Sequence, residues 1–66
     1  MTSFEDIDAR RASAGLTREA VCRRAGVNSE TWRRTAKGRT QPNLRTLIKL
    51  DDAVTALERE KQEAGN

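Results

Sequence analysis

The step Gly26-Val27-Asn28 constrains the fold of this chain more than any other three residues. A glycine that closes one helical segment, an apolar residue turned inward and an asparagine that caps the next segment leave room for a tight turn and nothing longer. Upstream, Thr17 caps a segment running from Arg18 to Ala25, with Leu16 placed before it as a staple residue. Val21, Cys22 and Ala25 share one face of that segment. Downstream, Ser29-Glu30-Thr31-Trp32-Arg33-Arg34-Thr35 reads as a brief helix with polar residues at its start. Two short helices joined by a Gly-containing turn, the second opening on a polar cap, form a helix-turn-helix pattern.

The flanking sequence supplies two more helices. Ser3 followed three residues later by Asp6 resembles a capping box, Phe4 and Ile7 give a buried side, and Gly15 ends the helix. Lys37-Gly38-Arg39-Thr40-Gln41-Pro42 is punctuated as a loop. Asn43 then caps a fourth helix that meets no breaker before Gly65, so it is expected over about residues 43–63, with a far end that frays. The expectation is an all-α, four-helix single domain over residues 1–66, with its core in 4–50 and an extended C-terminal helix. The last helix has two apolar stripes. Leu50, Val54 and Leu57 continue a heptad-like seam from Leu47, and Leu44 and Ile48 form the other. A chain of 66 residues has little core to offer, so Leu50, Val54 and Leu57 are assigned to a homodimer interface and Leu44 and Ile48 to packing on the first three helices. The alternative folds the Leu50 stripe onto Phe4 and Ile7.

Composition narrows the chemistry. The chain has no histidine, no tyrosine and one cysteine, Cys22, so an internal disulfide is impossible and a zinc site has almost no ligands. No catalytic set, metal, cofactor or small-molecule effector is expected. No apolar run approaches membrane-spanning length and the N-terminus lacks signal-peptide character, which fits a cytoplasmic protein. The net charge of +3 conceals a division into −1 over residues 1–15, +6 over 16–45 and −2 over 46–66. A basic centre between mildly acidic ends suits a polyanionic partner.

The spacing of Ile7, Arg11, Gly15-Leu16-Thr17, Val21-Cys22, Gly26-Val27, Trp32, Gly38 and Pro42 resembles the lambda-repressor-like helix-turn-helix family of Cro, C1 and XRE-type regulators, over roughly residues 4–50. The resemblance implies a small regulator of transcription that binds double-stranded DNA, a repressor or autorepressor, as a homodimer on an inverted repeat. Small stand-alone members occur in phages and mobile elements, including regulators associated with anti-CRISPR genes. It implies base contacts from Ser29, Glu30, Arg33 and Arg34, and phosphate contacts from Arg18, Lys37 and Arg39. Thr17, Thr40 and Asn43 could add hydrogen bonds, although capping alone explains them.

A guanidinium fork matches guanine O6 and N7, and Arg34 is preferred over Arg33 for that role. Glu30 either accepts from a cytosine amino group or serves the helix dipole. Trp32 is expected in the core. Two departures from the family stand out. Thr35 occupies an apolar position, and Ala36 replaces the glutamate that often pairs with the arginine at position 11. Arg11 is therefore either free for a phosphate or paired with a nearby acid. The competing function is a protein-interaction module, such as an antitoxin whose last helix binds a partner.

Overall fold

A computed structural model describes residues 3–38 and 43–64. Among them are four helices and no strand: α1 (Phe4–Ser13), α2 (Arg18–Ala25), α3 (Ser29–Ala36) and α4 (Leu44–Ala64). The local signals in the sequence account for each start. Ser3 and Asp6 form a reciprocal capping box. The Thr17 side chain accepts from the Ala20 amide at 3.1 Å, and that of Asn28 from the Glu30 amide at 2.8 Å. Asn43 accepts from the Thr46 amide at 2.7 Å.

The stops follow from left-handed glycines. Gly15 (φ +71°) follows α1, and the amides of Gly15 and Leu16 bond back to Ala12 and Arg11 carbonyls. Gly26 (φ +72°) ends α2 in the same manner, with the Val27 amide on the Cys22 carbonyl at 2.9 Å. A side chain at either site would crowd its own backbone.

One core lies among the helices. Phe4 and Ile7 come from α1, Val21 and Cys22 from α2, Trp32 from α3, and Leu50, Ala53 and Val54 from α4. Leu16, Ala25, Val27, Leu47 and Leu57 pack around it, half-buried. Phe4 meets Trp32 edge-on at 4.8 Å between ring centroids, a preferred aromatic geometry. Burial pushes the Cys22 thiol pKa up, which leaves it a packing residue.

The assignment of α4's two stripes is reversed. Leu50 and Val54 are 1% and 0% exposed, and Leu57 packs on the same core, so the expected dimer stripe is inside the monomer. Leu44 and Ile48 are 54% and 52% exposed instead of packing on the first three helices. The short helices leave one groove, and a helix can turn only one stripe into it. The longer stripe, Leu47-Leu50-Val54-Leu57, removes more apolar surface from water.

The far half of α4 is fastened to the helices before it as far as Lys61. The Arg10 guanidinium donates to Asp51, to Thr55 at 2.9 Å and to Glu58 at 2.8 Å. Glu58 first, then Asp51, holds it in its charged form more firmly than usual. Arg24 pairs with Glu60 at 3.1 Å. Lys61 donates to the carbonyl of Ala14, at the end of α1. These contacts lay the acidic tail along the basic flanks of α1 and α2. No helix among the described residues is long and apolar enough to cross a membrane.

Candidate nucleic-acid interface

Trp32 is the pivot of α3. It is 3% exposed, pinned by Phe4 on one side, and the Arg11 guanidinium lies 5.9 Å from its ring centroid. With one large apolar anchor at the middle of an eight-residue helix, the remaining faces turn outward. Ser29, Glu30, Thr31, Arg33 and Arg34 are all exposed. Thr35, the polar substitute at an apolar family position, is half-buried, and its hydroxyl donates to the Thr31 carbonyl at 2.9 Å. The hydroxyl thus has a hydrogen-bond partner on its own helix.

Arg11 is settled as an internal residue. Its Nε donates to Asp8 at 2.8 Å and its Nη1 to the Leu16 carbonyl at 2.8 Å, with its side chain only 15% exposed. The glutamate missing at position 36 is replaced by an acid one turn back on α1. Arg11 thereby ties α1, the turn before α2 and the Trp32 ring together, and it positions α3 without facing solvent. Sequence reasoning left its partner open. The i−3 spacing to Asp8 was the signal that would have found it.

The four expected base-reading residues share the exposed surface of α3, but they are not independent. Glu30 accepts from Arg33 at 2.7 Å and lies 3.9 Å from Nε of Arg34. Its carboxyl is held below the usual glutamate range by the Arg33 hydrogen bond first and then by the Arg33 charge, with smaller contributions from Arg34 and Lys37. All three side chains remain open to solvent. The Asn28 side chain does the capping, so Ser29 stands exposed at the first turn beside amides that favour an anion.

The expected phosphate contacts divide into three groups. Thr17 and Arg18 are exposed at the N-terminus of α2, and the Thr17 hydroxyl already serves the cap. Lys37 is exposed at the end of α3 and Asn43 at the start of α4, where it is also a cap. Arg39 and Thr40 lie outside the described residues. Of the two mid-helix arginines of α2, Arg23 is exposed and Arg24 reaches Glu60.

The surface is therefore a short helix anchored by Trp32 and carrying hydroxyls, a carboxylate and two guanidinium groups, with Lys37 at its C-terminal end. Hydroxyl, carboxylate and guanidinium groups are the ones that read base edges, and cations at helix ends meet phosphates. A family model described as a helix-turn-helix domain matches residues 7–64. No curated protein and no solved structure matches the chain.

Proposed function

The chain belongs to the helix-turn-helix domain family, and from that premise we propose that it is a sequence-specific repressor or autorepressor of transcription. It binds double-stranded DNA as a homodimer on an inverted repeat, with α3 in the major groove. The observation that carries this reading is the division of α3, where Trp32 is buried while Ser29, Glu30, Arg33 and Arg34 are exposed. A helix held by its middle presents its N-terminal residues to base edges, as a recognition helix must. Arg34 or Arg33 reads guanine, Ser29 and Glu30 set the flanking preference, and Arg18, Lys37 and Arg39 meet phosphates. The antitoxin alternative needs a last helix free to bind a partner. Here Glu58, Glu60 and Lys61 are engaged by α1 and α2.

A gel-shift titration on the promoter of its own gene, at two salt concentrations, tests the reading. The expected result is a specific complex whose affinity falls steeply with salt. Arg34→Ala is expected to relax the preference for the correct base, worth about 1–3 kcal/mol. Lys37→Ala is expected to weaken all sequences alike and lower the salt slope by about 1. Equal loss on every sequence from Arg34→Ala would remove it from base reading.

A further inference from the structure

Among the described residues, Leu44 and Ile48 are the large apolar side chains that the fold leaves in water, and they stand one turn apart on α4. From them we infer that the first half of α4 is a self-association surface whose occupant is a second copy of this chain, packed antiparallel with the two-fold axis beside Ile48. The charges around the pair select this arrangement. Leu44, Ile48 and Asp52 follow one another at four-residue steps, and Arg45 and Lys49 lie one position further round the helix, all exposed. The face thus carries Arg45 at one end, Asp52 at the other, and Lys49 on its edge beside Ile48.

A parallel pairing would set Arg45 against Arg45 and Asp52 against Asp52. An antiparallel pairing centred nearer the helix start would also bring the two Arg45 side chains together. With the axis beside Ile48, the two Ile48 side chains meet, Leu44 lies alongside them, Arg45 of each copy faces Asp52 of the other, and the two Lys49 side chains sit on the edge of the contact, where they reach into solvent. The same patch then complements itself twice, as a two-fold interface requires. Thr46 and Leu47 turn away from this face, half-buried, so the contact draws nothing from the core.

This surface rests on the homodimer reading above but not on DNA recognition. A contact built on two apolar residues per copy falls at the small end of protein interfaces, below about 1,200 Å². Self-association in free solution is therefore weak, and two half-sites on one DNA raise the local concentration that completes it.

Sedimentation equilibrium of the full chain without DNA, from micromolar to near-millimolar concentration, tests the surface. Wild type is expected to pass from monomer to dimer. The double variant Leu44→Ser with Ile48→Ser is expected to weaken association about tenfold or more. Arg45→Asp alone and Asp52→Arg alone are expected to weaken it too, and the two together to restore it. Unchanged thermal melting by circular dichroism establishes that each variant folds. Restoration by the charge exchange is the result a merely sticky patch would not give.

Wild type that stays monomeric throughout, association undiminished in the serine variant, or a charge exchange no better than its single parts each overturns the proposal. A parallel titration separates the two readings. Wild type and the serine variant are expected to bind a single half-site equally, and only wild type is expected to gain cooperativity on the full site. Loss of half-site binding by wild type would sink the DNA reading while sedimentation still judged the surface.

Discussion

Glu30 sits between two arginines that are proposed to read DNA, and it accepts from Arg33 while lying near Arg34. DNA has to draw those guanidinium groups away from a carboxylate, so a sequence that offers them no good acceptor leaves the pairs intact. Glu30→Gln is then expected to raise affinity for unrelated DNA more than for the operator, and to steepen the salt dependence. A gel shift on both DNAs at several salt concentrations measures this, and a variant with unchanged discrimination would contradict it.

The pH behaviour of Glu30 follows from the same pairing. Its pKa is lowered by the fold, so the pair's contribution to α3 is present above the unfolded glutamate pKa and is lost as pH falls through the lowered value. An NMR titration of the Glu30 carboxyl is expected to give a midpoint below the ordinary glutamate range. In Arg33→Ala that midpoint is expected to move back up. Glu30 was legible in the sequence as an acid on the proposed reading face. Its grip on two neighbours was not, because a base contact, a dipole contact and an i,i+3 ion pair all place the same residue type at the same position.

At the scale of the elements, the glycine at the end of α2 sets the angle at which α3 departs. Gly26 has φ +72° and open space where a Cβ would go, so Gly26→Ala introduces backbone strain without a clash. The expected cost is about 1–2 kcal/mol, read as a lower thermal midpoint with the fold retained. The four caps and both helix-ending glycines were readable because each acts within four residues of itself. The inward stripe of α4 was not readable in that way. Leu47-Leu50-Val54-Leu57 and Leu44-Ile48 both satisfy helical spacing, and only the groove left by three other helices chooses between them. The partners of Arg10 were equally hidden. Asp51, Thr55 and Glu58 lie 41, 45 and 48 residues away, beyond any local pattern.

Over the whole molecule, stability depends on very few side chains. Ile7, Leu50, Val21 and Val54 are the largest fully buried ones, drawn from three helices. Leu50→Ala is expected to cost about 2–5 kcal/mol. A single core in a domain this small supplies rarely more than about 3–5 kcal/mol. Urea denaturation should therefore find that variant largely unfolded, whereas the exposed Leu44→Ser should unfold near wild type. An equal loss in both would mean that Leu44 supports the core after all.

The bond from Lys61 to the carbonyl of Ala14 has a bearing on synthesis. The far turns of α4 complete the end of the first helix, and Leu50 and Val54 close a core that α1, α2 and α3 only begin. A nascent chain that has emerged only through Ala36 carries the whole proposed reading surface on a core that still lacks Leu50, Ala53 and Val54. The core that supports the proposed reading surface is therefore completed only when α4 has been made, so an interrupted translation product is a target for proteases before it is competent for the proposed DNA binding.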